Sequence, residues 1–482
     1  MADSRPAPES VPEPVAAVRR HVAAHREEML DELREYVARP SVSATGEGFP
    51  EITDYVVELV RRCGLDAQAL ETAGRPAVVG HAQGPPEAPH VLIYGHYDVQ
   101  PAGPLEHWHS PPFVPQVRDG RIFGRGTGDN KGQHLAHLLA VRTLHEVDGG
   151  LPCSVTILLD GEEELGSPYL PDLVAAHRER FAADLVVWSD GPVHASGRAC
   201  VMLGMRGIVR FELWARGARY ALHSGAWGGV APNPADALVR ALASLRAPDG
   251  TIAVDGFYDD VRPFSDGERR AMAELPVDVP ATMAGLGLRD PGLDGRQFHE
   301  RLALPALNVN SLSCEDGGDH RTVIPSVAVA RCDLRLTYAQ RAEQVVQALR
   351  DHLARHAPGV QLRVTGGAMQ PSRTLPESPY LAAVRRGAAA GLDEVPLVVP
   401  AMRGSLPLHV FTELLGLPCF GVPLANVDEA NHAPNENLEL TWFYRGVAAS
   451  AGILAEVAAQ AAAAAGRCEP TGTDRRSGNE SR

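Results

Sequence analysis

The chain has 482 residues, a length that at about 150 residues per domain fits two to three domains. Apolar residues make up 44%, the ordinary share for a globular protein, and 47 glycines with 39 prolines supply turns without reaching a collagen-like or disordered composition. With 45 basic against 60 acidic side chains the net charge is −15, which repels phosphate backbones and excludes nucleic acid as the expected partner. No uninterrupted apolar run approaches the roughly 18–20 residues of a membrane helix. Met1–Glu13 carries acids and prolines where a secretory leader needs basic residues and an apolar core. The 7 cysteines are scattered, odd in number and without CxxC spacing, so they read as reduced thiols. The expectation is a cytoplasmic protein without a membrane partner.

In chain order, Ala2–Pro14 is rich in Pro and Glu and reads as a disordered tail, as does the polar Thr471–Arg482. Val15–Val37 has apolar residues at helical spacing and is broken by Pro40. Ala77–Gly80, Val91–Tyr94, Val155–Leu159 and Leu185–Trp188 read as buried strands, with helices predicted over Gln133–Val147 and Leu170–Phe181. This alternation predicts an α/β layer with helices on both faces of the sheet. After Gly204 the pattern changes. Strands are predicted at Ile208–Ala215, Leu307–Leu312, Val327–Leu336 and Gln361–Thr365, and helices at Asn233–Leu245 and Gln340–His356. The order strand, helix, strand, strand, helix, strand suggests a small α+β unit inserted into the first. Within it, Pro248–Leu304 has no assigned element. From about Pro371 the α/β pattern returns, with short strands at Leu397–Val399 and Pro418–Val422 and a closing Ala-rich helix over Thr441–Ala464. The expected division is 15–206 and 371–465 for the two parts of one domain, 207–370 for the insert, and 1–14 and 466–482 for the tails.

Metal-type ligands collect after the predicted strands. His96 and Asp98 follow Val91–Tyr94 and, with a period of two, point to the same side. Val155–Leu159 runs into Asp160-Gly161-Glu162-Glu163-Glu164, Leu185–Trp188 into Ser189-Asp190, and Asn431-His432 lies far downstream. The Gly124–Gly132 loop carries Asp129 just before a helix and lacks the spacing of a phosphate-binding fingerprint. Loops at the carboxyl ends of parallel strands meet over one crevice. Carboxylates crowded there repel one another unless protonated or bound to a cation. Two histidines with several carboxylates suit two zinc-like ions sharing a bridging group. Taken singly, His96–Asp98 is an ordinary hydrogen-bonded pair and Glu162–Glu164 a solvated turn. Their joint placement after consecutive strands favours the metal reading.

The wording around these residues resembles the two-metal, cocatalytic zinc metallopeptidase family of carnosine-type dipeptidases, aminoacylases, acetylornithine deacetylase and succinyl-diaminopimelate desuccinylase. The resemblance is carried by Tyr94–Pro101, Trp108, Pro112-Phe113, Gly124–Gly126, Asp129–Gly132, Glu163–Ser167 and His432–Glu436, and spans about Glu32 to Ala458. The His-Tyr-Asp-Val-Gln-Pro wording is closest to the dipeptidase branch. The resemblance implies a mixed-sheet, three-layer catalytic α/β domain with an inserted ferredoxin-like lid. It implies that His96 and Asp190 bind one metal, Glu164 and His432 the other, and that Asp129 bridges both. Asp98 would orient His96, and Glu163 would be the general base, a register anchored on Gly166-Ser167. A cis peptide at Asp129-Asn130 is also implied. In the insert, His223 would reach a partner subunit's active site and help hold the oxyanion. Thr322 and Arg335 would receive the substrate's free carboxylate, a task suited to the planar guanidinium fork.

The implied activity is hydrolysis of dipeptides by a hydroxide bridging two divalent ions, zinc first, with manganese or cobalt also accommodated. The implied assembly is a homodimer formed through the lid. The alternative is an N-acyl amino acid deacylase or desuccinylase, which would keep the same ligands and Glu163. Near Ser405, a substrate-binding candidate, the family commonly shows Gly-Gly-Ser where this chain has Arg403-Gly404-Ser405, which bears on side-chain preference.

Overall fold

The computed structural model describes residues 11–314, 321–402 and 404–468. Arg403, Thr471–Arg482 and most of Ala2–Pro14 lie outside these residues. The first helix starts at Glu13, with Pro14 in its first turn where a missing N–H costs nothing, and the last helix ends at Cys468. Both ends of the expected tails are therefore helical next to the folded body.

Four parallel strands form the centre of an eight-stranded mixed sheet, in the order Ser154–Asp160, His90–His96, Leu185–Trp188 and Cys419–Gly421. Ala77–Ala82 and Asp66–Leu70 extend one side antiparallel. Cys200–Met202, antiparallel to its neighbour Cys419–Gly421, and Leu397–Val399 complete the other side. The strands are apolar on both faces because both are covered. Val91 and Ile93 enter an apolar layer with Leu135, Leu139 and Phe443, while Leu92 and Tyr94 enter a second layer with Leu173, Val174 and Phe411. Alternation along one strand thus feeds two cores and produces three layers.

The inserted unit is a four-stranded antiparallel sheet, in the order Ala306–Cys314, Val327–Leu336, Gly207–Arg216 and Val360–Val364. Val209, Phe211 and Leu213 alternate inward against Leu238 of helix Pro234–Ser244 and Leu349 and Leu353 of helix Ala342–His356. Asn233 caps the first of these helices through the Ala235 N–H.

Several elements differ from those expected. Val15–Val37 is two helices, Glu13–Ala24 and Arg26–Val37, parted at His25 with its non-helical φ of −116°. Leu170–Phe181 breaks at His177 into a helix to Ala176 and a tight turn, Arg178–Phe181. Helix Glu51–Arg62 and strand Asp66–Leu70 have no counterpart among the expected elements. Pro248–Leu304 holds three helices, Asp266–Glu274, Val279–Gly285 and Gly295–Ala303. Ser265–Glu268 and Asp294–Gln297 form reciprocal capping boxes at the first and third. One helix reaches membrane length, although Arg445 and Glu456 keep it from being an uninterrupted apolar run. Leu440–Ala464 is long and apolar enough to cross a membrane by length and composition alone, with a mean hydropathy of 1.5 over its most apolar part, half of which is buried inside the protein.

That helix packs so closely on Leu381–Leu392 that a side chain at Gly387 would strike the Gly452 carbonyl, and one at Gly391 the Ala449 backbone. Overpacking of this kind costs about 1–3 kcal/mol, more where backbone must move. Gly387→Leu is expected to lower the thermal unfolding midpoint by several degrees, read by calorimetry; an unchanged midpoint would contradict the close approach.

Candidate active site

The parallel strands end along one edge, and their loops carry the acidic and imidazole groups. His96 closes its strand opposite Asp160, and Ser189-Asp190 follows the third strand. Asp129 precedes helix Lys131–Asp148, and the peptide between Asp129 and Asn130 is cis, as the resemblance implies. Glu163 and Glu164 lie in a tight turn, Glu163–Leu165, that ends at Gly166 with φ +86°. Its register is held from both sides. The Ser167 hydroxyl donates to Asp160 Oδ2 at 2.6 Å, and the Asp98 carboxylate accepts from the Glu163 and Glu164 amides at 3.1 Å each.

His96 Nε2 lies 3.0 Å from Asp129 Oδ1 and 3.4 Å from Asp190 Oδ2. His432 Nε2 lies 3.0 Å from Asp129 Oδ2 and 3.1 Å from Glu164 Oε2. Each Asp129 oxygen thus belongs to a different triad, His96–Asp129–Asp190 and Asp129–Glu164–His432. Donor atoms about 2.1 Å from one ion, at angles between roughly 90° and 109°, sit about 3.0–3.4 Å apart, the interval these contacts occupy. Glu164 Oε1 is also buried without a hydrogen-bond partner. The donor set therefore fits two divalent ions on either side of Asp129. Glu163 stops 4.0 Å from His96 Nε2, outside that spacing. Glu162 turns away toward Gly74.

Supporting contacts orient the donors. His96 Nδ1 faces the Asp98 carbonyl at 3.1 Å and its Oδ1 at 3.3 Å, so one aspartate positions both the imidazole and the Glu163–Glu164 turn. Gln100 donates to Glu164 Oε2 at 2.9 Å. The electrostatics follow from crowding. Burial, with Asp190, Glu164 and Asp129 adding to it against His96, pushes the Glu163 carboxyl well above its ordinary range. Asp190 and Glu164 are raised by burial and then by Asp129. Burial works against the charge of Asp129, yet His432 and His96 pull its carboxyl below the usual value. Asp129 and Glu164 draw His432 up to about 10.

Two acids without an assigned role in the sequence reading complete the arrangement. Glu436, fully buried, accepts from the amides of Gly126, Gly128 and Asp129 at 3.0 Å and from Arg125 Nη1 at 2.6 Å. It therefore fixes the loop that presents Asp129. Its cue in the sequence is Arg125, a cation in a glycine-rich loop that needs a buried anion once the loop folds inward. Glu429 is buried with both carboxyl oxygens unpartnered, and burial, then Asp129, Glu436 and Asp190, holds it well above the usual carboxylate range. A side chain at Gly128 would meet that carboxyl. No sequence cue beyond its position three residues before His432 points to it.

The remaining four candidates form two pairs apart from the cluster's hydrogen bonds and ion pairs. His223 is exposed on a two-stranded ladder, Leu222–His223 with Val323–Ile324, and Ser224 bonds the Thr322 carbonyl beside it. Arg335 Nη1 reaches Ser405 Oγ at 3.4 Å, while that hydroxyl donates to the Arg206 carbonyl.

Residues 92–456 match the family model described as Peptidase family M20/M25/M40. The chain belongs to this family. It is a metallopeptidase whose ligand-type residues all fall inside the matched segment. Among the curated relatives, the Cys-Gly metallodipeptidase dug1 of Schizosaccharomyces pombe is 27% identical over 453 residues, covering 88% of this chain and 94% of that one. The human Beta-Ala-His dipeptidase is 26% identical over 473 residues, covering 91% of each. Among solved structures, the M20 family metallo-carboxypeptidase Sso-CP2 from Sulfolobus solfataricus superimposes with a TM-score of 0.81 at 30% identity, covering 90% of this chain and 99% of that one.

Glu436→Gln places an amide NH2 against N–H donors, a loss of about 1–3 kcal/mol. It is expected to weaken divalent metal binding by about 10- to 100-fold, as loss of an outer-shell partner does. Calorimetric titration of zinc into metal-free protein checks this, and unchanged affinity would contradict the role of Glu436 in presenting Asp129.

Proposed function

We propose that the chain hydrolyses dipeptides bearing a free terminal carboxylate, using two divalent ions. His96 and Asp190 would hold one, Glu164 and His432 the other, with Asp129 between them. The observation that carries this reading is the division of Asp129, one oxygen 3.0 Å from His96 and the other 3.0 Å from His432. Zinc suits the mixed nitrogen and oxygen donors, and manganese or cobalt would be accepted by the same set. When bound, such a pair supplies an acidified water and polarises the scissile carbonyl.

The rest of the chemistry falls to the chain. Glu163, outside ligand spacing and buried, would take a proton from water and deliver it to the leaving amine. Asp98 would hold His96 and the Glu163 turn in register. Arg335, seated against Ser405, would fix the substrate carboxylate with a planar fork, and Thr322 would support that end. His223 would help hold the oxyanion from a partner subunit. Its exposure, together with Tyr220, Trp227 and Val230, which are 67%, 49% and 78% exposed, supports a homodimer formed through the insert. Cys63, Cys153, Cys200, Cys314, Cys332 and Cys419 are free thiols, which supports a reducing, cytoplasmic setting.

The dipeptidase relatives favour this reading. The 30% identity to a metallo-carboxypeptidase favours a second one, removal of the last residue from longer chains, which needs the same carboxylate anchor. Free dipeptides, N-acyl amino acids and amino-blocked tripeptides, incubated with metal-loaded protein and read by mass spectrometry, separate the readings. Cleavage confined to free dipeptides is expected. Cleavage of blocked tripeptides would mean a carboxypeptidase, and of acyl substrates alone a deacylase.

Glu163→Gln is expected to retain two metal equivalents and lose turnover by about 10²- to 10⁴-fold; near-normal turnover would remove Glu163 as the base. Arg335→Ala should raise KM for free-carboxylate substrates and leave carboxyl-amidated ones unaffected, and an equal effect on both would remove the anchor.

A further inference from the structure

A cavity of about 210 Å³ begins two residues past Asp190. Part of its lining is the chain following that aspartate, Pro192–Ala195, and another part comes from helices Asp266–Glu274 and Gly295–Ala303. Its lining is mostly apolar, with His194 and His299 as its imidazoles, and Met202, Met272 and Met402, three of the chain's 8 methionines, line it alongside Leu275, Val399 and Val427. Packed interiors leave few voids larger than a water molecule, so a recess of this size next to a metal-ligand loop is more than a packing fault. Sites for whole small ligands run to about 300–1,000 Å³, which makes this one the size of a single side chain.

The helical part of the lining is fixed in place. Arg373 pairs with the buried Glu268, and Glu268 also closes the capping box with Ser265, tying helix Asp266–Glu274 to the catalytic body. The segment without expected elements thus builds one side of the recess. The lining includes neither Arg335 nor Ser405. Met402, which lines the recess, lies against Gly191, the residue after Asp190; with the substrate carboxylate at the Arg335–Ser405 pair and the scissile bond at the Asp129 cluster, the recess would be left for the other residue.

We propose that this recess takes the side chain of the substrate's amino-terminal residue and selects large apolar side chains. The proposal rests on the dipeptidase reading. Thioethers are flexible and polarizable, so the methionine lining adapts to leucine, methionine or phenylalanine alike. A charged side chain would lose its hydration there, and among the described lining residues no Asp, Glu, Lys or Arg stands to pair with it, so it is disfavoured.

The test compares the X-Gly and Gly-X dipeptide series, with X as Gly, Ala, Leu, Phe, Asp and Lys, on metal-loaded protein. Ala303→Phe fills the recess from a helix outside the ligand set, and Met272→Ala enlarges it. In the unmodified protein Leu-Gly and Phe-Gly should exceed Gly-Gly in kcat/KM by roughly tenfold or more, the scale of discrimination in an apolar pocket. Ala303→Phe should remove that advantage while Gly-Gly and Gly-Leu are cleaved as before, which also reports that the variant is folded. Met272→Ala should shift preference from Leu-Gly toward Phe-Gly. An unchanged Leu-Gly to Gly-Leu ratio in both variants would overturn the proposal. Failure of the dipeptidase reading looks different: the unmodified protein would cleave neither series.

Discussion

Four carboxylates packed against two imidazoles at the carboxyl edge of one sheet set the condition to which the surrounding structure answers. Asp129, Asp190, Glu163 and Glu164 cannot all carry charge in a buried site without cations among them. Their placement shows how the chain manages this. The strand order puts His96 level with Asp160, and Tyr94 level with Trp188 two residues before, so that the following loops leave from one edge. The loop bearing Asp129 is held by its own amides around Glu436, whose charge is matched by Arg125. Beneath it, Tyr36 contacts His134 Nε2 at 3.0 Å, His134 contacts Asn130 at 3.2 Å, and the Asn130 amide donates to the Ser189 carbonyl at 2.6 Å. This run ties the Asp129 loop to the Asp190 loop, so both sides of one triad share a rigid base.

Much of this arrangement is legible in the chain. The central strands announce themselves as short β-branched and leucine runs. The ligand-type residues announce themselves by following those runs directly, because an open α/β sheet directs such loops to one crevice. The Gly166-Ser167 register places Glu164 against His432 and Glu163 beyond ligand spacing, and Asp98 where it steadies His96. The insert is readable from its change of period after Gly204, since Val209, Phe211 and Leu213 alternate where the central strands do not.

The less legible parts have specific causes. Glu436 and Glu429 are acids in a polar loop, and nothing local distinguishes a buried anion from a solvated one; only contacts across some 300 residues of chain, such as Arg125 with Glu436, do so. The helices of 248–304 are only 9, 7 and 9 residues long, so each offers too few apolar positions to establish a period. Their Ser265–Glu268 and Asp294–Gln297 capping boxes are the stronger signal. The break at His25 interrupts a continuous apolar period. The long closing helix is as apolar as a membrane span because small side chains, including Gly452, let it lie close against Leu381–Leu392. The recess behind Asp190 depends on segments distant in sequence coming together, and no single stretch of sequence encodes it.

The central claim is that Asp129 joins two ion sites. Anomalous diffraction from crystals of the zinc-loaded protein tests it most directly. The account predicts two peaks, each within coordination distance of a different Asp129 oxygen, one beside His96 and Asp190 and the other beside Glu164 and His432. A single peak, or two peaks that do not share Asp129, would contradict it.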